Sequence, residues 1–381
     1  MTPPPTVHVT PAQPLVPGPG LPDGLYVGEA NNNLDLVRHD GVLVMAWRTA
    51  PTHFASADAV IHVVRGRPGA WEHELTVEVG RDVREPRLVS WEGRLLLYWF
   101  TAGTAALRFQ PDRIWVVERT GPGRWDGLEC LSPPDHVVWR VRPVGDRLLM
   151  SLYRHAASLF TAHPRPLSVE LWSSSDGLSW APADPLRPEV HHGGAEADFV
   201  ERHDGSLAVV VRKEGPAGGW GSDIGWAPAG SPTDWRLRSD PRKLDSPFLF
   251  CDGDRTFLVC RRQVAFGGRY DLGWRHGSDV ARTKAYQAAY SVTPKRTSLY
   301  EVHPEAGALT WLADLPSAGD TAFGAGVALG NGRWLLANYT SRVDRGWWPW
   351  AFAQTRPTRM YTLEVDLPAG QTAGGPAGTQ T

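Results

Sequence analysis

Apolar and polar positions along this chain fall into short dense runs separated by tight turns, and one arrangement returns six times. An apolar run meets a turn built from glycine and Asp, Glu or Asn, and a denser apolar run follows. The turns are Asp40-Gly41, Glu92-Gly93, Gly145-Asp146, Asp204-Gly205, Asp252-Gly253 and Asn331-Gly332. The strands they launch read VLVMAWR, RLLLYWF, RLLMSLYR, SLAVVVR, TFLVCRR and RWLLANY. Asp-Gly and Asn-Gly favour the positive φ of two-residue hairpin turns, so each unit is expected to be a β-hairpin. Successive turn glycines lie 52, 52, 60, 48 and 79 residues apart. A repeat near ~50 residues with several strands in each predicts an all-β chain, a six-bladed β-propeller with four-stranded antiparallel blades.

Third strands follow the hairpins at 60–65, 113–119, 168–173, 298–302 and 360–365, with a weaker one at 222–228. Trp71, Trp125, Trp180, Trp235 and Trp311 come after them and read as recurring packing between blades. Residues 1–22 are Pro-rich and residues 368–381 rich in Gly, Ala, Thr and Gln, so both are expected to be disordered tails around a propeller of residues 23–367. Blade six has no fourth strand of its own after residue 366. GLYVGEA (24–30) is the expected donor that closes the ring and removes the open edge.

Composition narrows the function classes. Net charge is −2, so no basic field argues for nucleic acid. Four of the 39 basic residues are lysine and the rest arginine, the better bidentate partner for carboxylate and phosphate. Cys130, Cys251 and Cys260 are too scattered for a metal site, redox pair or disulfide framework. The N-terminal stretch has neither a basic nor an apolar leader segment, and no apolar run approaches ~20 residues. A cytoplasmic monomer that uses no cofactor, metal, nucleic acid or membrane is the expectation.

Candidate chemistry lies where strand ends face the central channel. Four second strands end in arginine, at Arg48, Arg154, Arg212 and the pair Arg261-Arg262; the other two end in Phe100 and Tyr339. First strands open with charge: Arg84-Glu85, Arg140, Glu196 with Asp198, Asp245 and Asp320. Near the axis such groups are partly desolvated, so they must pair as a ring of salt bridges between blades or bind a ligand. In blade four, Glu196 and Arg212 bracket one hairpin, which brings a carboxylate and a guanidinium together.

Ser173 to Trp180 reads SSSDGLSW and resembles the S-x-D-x-G-x-x-W Asp-box of sialidase-type propellers, one residue short between Asp and Gly. The Glu196, Asp204-Gly205, Arg212 spacing is similar to that of the same superfamily, in which a glutamate assisting a tyrosine nucleophile lies beside an arginine of a carboxylate-binding triad. The resemblance spans about residues 24–366. It departs at two places. Where the family has an R-I-P arginine, this chain has Asn31-Asn32-Asn33-Leu34, and Arg84-Glu85-Pro86 echoes the motif one blade later. Where the family has its tyrosine, this chain has Phe323, leaving Tyr339 and Tyr270 as replacements. The family's acid maps loosely to Asp58, with His53 a second proton carrier in the same loop.

The expected function is that of a sialidase-like glycoside hydrolase acting on an anionic sugar in the axial funnel. Glu196 and one of Asp58, Glu85, Asp245 or Asp320 would form the acid/base pair, since glycoside cleavage requires two facing carboxylates. Arg48, Arg84, Arg140, Arg212, Arg262 and Tyr339 would bind substrate. The alternatives are a non-catalytic propeller that binds glycan or protein, for which the aromatics of DRGWWPWAFAQ (344–354) would also serve, and a polysaccharide lyase with His53 or a tyrosine as base.

Overall fold

The turn residues take the backbone the hairpins demand. Asp40 and Gly41 have φ of 49° and 77°, and Asn331 and Gly332 of 54° and 72°, values that glycine and Asn/Asp adopt at least cost. A computed structural model of the chain describes residues 7–106, 108–158, 161, 165–215, 217–344 and 346–368. In it the hairpins grow into six antiparallel sheets arranged as a six-bladed propeller. Their innermost strands are Ala30–His39, Asp82–Trp91, His136–Val144, Gly194–Glu201, Asp245–Asp252 and Ala318–Gly330. Each packs against the next, and the sixth returns to the first.

The second strands show why their apolar runs are so dense. Val42–Ala50, Arg94–Ala102 and Leu207–Glu214 are buried along nearly their whole length, because neighbouring blades cover both faces. Outer strands face water and lose the pattern, as Arg124–Cys130 does. Trp71 is buried, and Trp125, Trp180 and Trp235 are half-buried against the core, whereas Trp311 is 47% exposed. In the turn before Trp180, Asp176 Oδ1 accepts from the backbone N–H of Leu178 at 2.8 Å and Ser179 at 2.7 Å. Burial opposes ionisation there, yet these bonds hold the carboxyl down at about 2.

Ring closure differs from the expectation. The outer edge of blade six is supplied by His8–Val9 and Gln13–Val16, both antiparallel to Arg359–Asp366. Residues 24–29 contain no strand; their end is tied to blade six through Thr358 N–H, which donates to Glu29 O at 2.9 Å. The Pro-rich stretch is therefore part of the propeller from His8 onward. An edge strand pairs on one side only, so prolines are tolerated there, and Leu15 and Val16 bury apolar side chains that residues 24–29 do not match. The expected C-terminal tail lies, apart from Pro368, outside the described residues.

The long last repeat also has a cause. Residues 264–294 form an insertion between the second and third strands of blade five, ending in the helix Asp279–Ser291. Ser278 caps it, its Oγ accepting from Ala281 N–H at 3.2 Å. A short helix, Trp350–Ala353, lies in the last loop of blade six and touches the first helix. Among the described residues no helix is long and apolar enough to cross a membrane.

Deleting residues 1–16 is expected to lower the melting temperature by several degrees, and Leu15→Ala alone to cost about 2–4 kcal/mol. An unchanged thermal melt after the deletion would remove these strands from blade six.

Candidate active site

Every innermost strand is interrupted by a β-bulge at the same place. The register shifts lie between Asn32 and Leu34, Arg84 and Arg87, Val138 and Arg140, Ala195 and Asp198, Asp245 and Phe248, and Ala322 and Ala325. The residues pushed out are Asn33, Glu85, Trp139, Glu196, Ser246 and Phe323. Five of them have φ between 45° and 56°, a left-handed backbone that Asn33 tolerates but that is costly for Glu85, Glu196, Ser246 and Phe323. Four of these side chains meet in pairs, and Ser246 joins Glu196 through its backbone. Asn33 Nδ2 donates to Glu85 Oε1 at 2.9 Å, and Ser246 N–H donates to Glu196 Oε2 at 2.8 Å. Trp139 and Phe323 come from opposite blades, yet their ring centres are 5.4 Å apart, so they close the channel at this level.

Ahead of the bulges, charged groups form one continuous chain. Arg48 Nη2 donates to Asp82 Oδ1 at 2.7 Å, and the other Asp82 oxygen contacts Arg84 Nε. Arg84 Nη2 donates to the backbone oxygen of His53 at 3.1 Å. His53 Nδ1 lies 2.7 Å from Asp320 Oδ2. Asp320 is 3.6 Å from Arg261 Nη1, and Arg261 Nη2 donates to Asp245 Oδ2 at 3.1 Å. Arg212 Nη1 lies 3.6 Å from Asp245 and contacts Glu196. Five blades thus contribute to one network, and Arg48, Arg84, Glu196, Arg212, Asp245 and Asp320 are brought together, linked through Asp82, His53 and Arg261.

The environment sorts these acids into two kinds. Burial pushes Asp245 and Asp320 up, but Lys243, Arg261 and Arg212 around the first, and His53 and Arg261 around the second, hold both below the ordinary carboxylate range. Burial dominates for the bulged glutamates. Glu85 is raised to about 7 by desolvation, with Arg87 opposing and the nearby charge of Glu196 adding to the rise. Glu196 is also raised by burial, against the pull of Arg212. Glu85 and Glu196 are thus held above, and Asp245 and Asp320 below, the ordinary carboxylate range.

Several expected positions lie elsewhere. Asp58 is exposed, and its one hydrogen-bonding partner among the described residues is Ser56. Arg262 points to the outer strand of its own blade, where it pairs with Asp314 at 2.7 Å; Arg261 is the residue that enters the network. The bulge makes this so, because it aligns Arg261 with Asp245 as it aligns Arg212 with Ala195. Arg154 likewise pairs with Glu170 outside the network. Arg48 is fully buried and directs four of its five N–H donors to Asp82, Asn32 and Phe54 O, so burial closes it off from a ligand. Arg140 belongs to the far side of the bulge layer, against Asp198 and Pro247 O. Tyr339 is buried with its hydroxyl on Asp320 Oδ1 at 3.2 Å, and Tyr270 is buried on Glu214 at 3.2 Å.

Other participants had no strand pattern to announce them. Tyr290, from the inserted helix, contacts Asp245, and Trp350 Nε1 donates to Asp320 Oδ1 at 3.0 Å. Gln354 Nε2 is 3.2 Å from His53 Nε2. The Tyr153 hydroxyl lies within the field of Glu196, Arg212 and Glu85 and makes no hydrogen bond among the described residues. The Ala-, Lys- and Gln-containing run after Ser278 was the available signal for the helix. Among the described residues no group of three or more His, Cys, Asp or Glu is placed to hold a metal ion.

No family model matches this chain, and no curated protein sequence does. Solved structures do. A protein of unknown function from Dyadobacter fermentans matches 95% of this chain over 100% of its own length, with a TM-score of 0.62 and 14% identity. Trypanosoma rangeli sialidase, in complex with 2,3-difluorosialic acid as a covalent intermediate, matches 94% of this chain with a TM-score of 0.58 and 9% identity. The same sialidase with sialic acid gives 0.58 and 10%. This chain spans 58% and 59% of those two sialidase chains. The fold is a sialidase-like propeller.

Arg261 and Arg262 separate structural from peripheral charge. Arg261→Met strands Asp245 and Asp320 without their shared cation and is expected to cost about 3–5 kcal/mol, whereas Arg262→Met is expected to cost about 1 kcal/mol or less by denaturant melts. Equal effects would contradict the assignment. Glu85 makes a pH prediction. Its folded pKa is raised above the unfolded value, so its contribution is fully present below about pH 4.5 and is lost as pH rises through about 7. Glu85→Gln is expected to be more stable than the parent above pH 7, by up to about 3 kcal/mol, and to lose that advantage near pH 4.

Proposed function

We propose that this chain is a glycoside hydrolase that receives an acidic sugar in the axial funnel, with Glu85 and Glu196 as its working carboxylates. The observation that carries the reading is the pair of buried glutamates on strained bulges of blades two and four, both titrating above the usual carboxylate range. Strained backbone and displaced pKa values gather at working sites because rigid placement and a proton held near neutral pH are what acid/base chemistry needs. Glu85, protonated up to about pH 7, suits the general acid that protonates a leaving oxygen. Glu196, in contact with Arg212, suits the group that activates water or attacks. Arg84 and Arg212 are the two network arginines whose side chains remain partly exposed, at 13% and 11%, and they fit a substrate carboxylate.

A tyrosine-linked intermediate does not suit this arrangement. Phe323 has no nucleophilic atom, and the Tyr339 hydroxyl is committed to Asp320. Little release of sialic acid is therefore expected.

The deciding experiment is a screen of chromogenic glycosides and uronate polymers that separates new reducing ends from unsaturated products. Hydrolysis is expected, falling about 10²-fold or more in Glu85→Gln and Glu196→Gln and declining as pH rises through about 7. Arg212→Lys should raise KM more than it lowers kcat, because the planar fork is lost. Robust sialic acid release that is lost in Tyr339→Phe or Tyr270→Phe and kept in Glu85→Gln and Glu196→Gln would sink the carboxylate-pair mechanism.

One observation favours a second reading. His53 is held between Asp320 and Gln354, beside Arg84, as a base oriented by a carboxylate next to a charge neutraliser. That arrangement suits a polysaccharide lyase acting on a uronate. An unsaturated product lost in His53→Ala and kept in Glu85→Gln would select it. Tight glycan binding without any cleavage would select the non-catalytic propeller.

A further inference from the structure

Beyond the bulge layer, the channel contains a second polar chamber. Arg140 and Arg142 alternate along the innermost strand of blade three, so their side chains leave the same face of it. The Trp139–Phe323 contact lies one residue before them and separates them from the glutamates. On the far side, innermost strands of five blades line a partly open cavity of about 240 Å³ whose lining includes both arginines, Arg38, Asp35, Ser90 and Phe248. That is room for several waters or one small polyatomic anion. Both guanidinium groups lie over the Phe248 ring, at 5.4 and 5.6 Å from its centre.

The carboxylates around this chamber do not satisfy its cations. Asp198 accepts from Phe199 N–H, Leu249 N–H and Arg142, and Asp35 accepts from Leu36 N–H and Leu88 N–H. Arg140 Nη1 comes no nearer than 3.9 Å to Asp35. Arg140 Nε, though 3.3 Å from Asp198 Oδ2, is buried without a hydrogen bond. Arg142 makes its bonds through Nε and Nη2. Burial lowers Arg140 to about 10, with Asp198 and Asp35 opposing and Arg87 and Arg142 adding like-charge repulsion. Arg87, itself buried and paired with Glu85 through Nη2 at 2.9 Å, has Nε and Nη1 without partners. Buried donors left unpaired are costly, and Arg140 and Arg87 together leave three buried guanidinium nitrogens without an acceptor.

We propose that this chamber binds a small oxyanion of the phosphate or sulfate type, held by Arg140 and Arg142. Planar guanidinium forks favour a polyatomic oxyanion, which accepts paired N–H bonds on separate oxygens, over a spherical halide. The site is separate from the funnel and does not depend on the activity proposed for it.

Isothermal titration and thermal melts of the full chain with inorganic phosphate, sulfate and chloride test this. Phosphate or sulfate at millimolar concentration is expected to bind and raise the melting temperature, with chloride much weaker. Arg142→Gln is expected to weaken oxyanion binding about tenfold or more, Arg142→Lys to weaken it less, and Arg212→Gln, in the funnel, to leave it unchanged. Oxyanion binding lost with Arg212→Gln and kept with Arg142→Gln would overturn the proposal by placing the anion in the funnel. No heat and no thermal shift with the unaltered chain would overturn it as well, leaving water as the occupant.

Discussion

The axial structure depends on buried arginine–aspartate clasps between successive blades. Arg48 of blade one reaches Asp82 of blade two, Arg212 of blade four reaches Asp245 of blade five, and Arg261 of blade five reaches Asp320 of blade six. Each joins the end of a second strand to the start of the next innermost strand. Burying such charges costs several kcal/mol each, repaid only when the partner and further hydrogen bonds are in place. The clasps therefore favour one register between neighbouring blades over displaced ones. They also fix the electrostatics of the funnel: Asp245 and Asp320, surrounded by cations, stay ionised, while the glutamates on the bulges are governed by desolvation.

The bulges are the second constraint. A regular antiparallel ladder would send alternate residues into the blade interfaces and none directly to the axis. One extra residue at this level of each innermost strand displaces Asn33, Glu85, Trp139, Glu196, Ser246 and Phe323 from the ladder. Two become acids, two become an aromatic partition, and two bond the acids. The partition makes one channel into two chambers of different chemistry, one with titrating carboxylates and one with underpaired arginines.

The inserted helix and the last loop of blade six complete the funnel without joining the sheets. Lys295 anchors the helix end, donating to Tyr290 O and to Thr293 O at 2.8 Å, and lies 3.8 Å from the centre of the Tyr290 ring. Burial and the nearby Arg261 lower its pKa to about 6. Tyr290 and Trp350 then pack edge to face, 5.5 Å apart, over the Asp245 and Asp320 carboxylates. Loops able to exclude water from charged groups strengthen the electrostatics beneath them.

The hairpin turns, the apolar density of the second strands and the number of repeats were legible in the sequence, because they are local. Positive-φ turn residues and two-sided burial leave their mark within ten residues of chain. The same reading placed Glu85, Glu196, Arg212, Asp245 and Asp320 near the axis, since strand starts and second-strand ends are neighbours in any hairpin. What it missed depended on register and on distant partners. Arg261 rather than Arg262 enters the network because a bulge shifts the ladder by one residue without altering composition. The closing strand was sought in GLYVGEA, whereas residues 8–16 fill that edge despite their prolines, which one-sided pairing permits. Whether a charged residue became a clasp, a proton carrier or an underpaired cation was decided only in the folded protein, because that outcome is set by the burial and charge of neighbours 30 to more than 100 residues away along the chain.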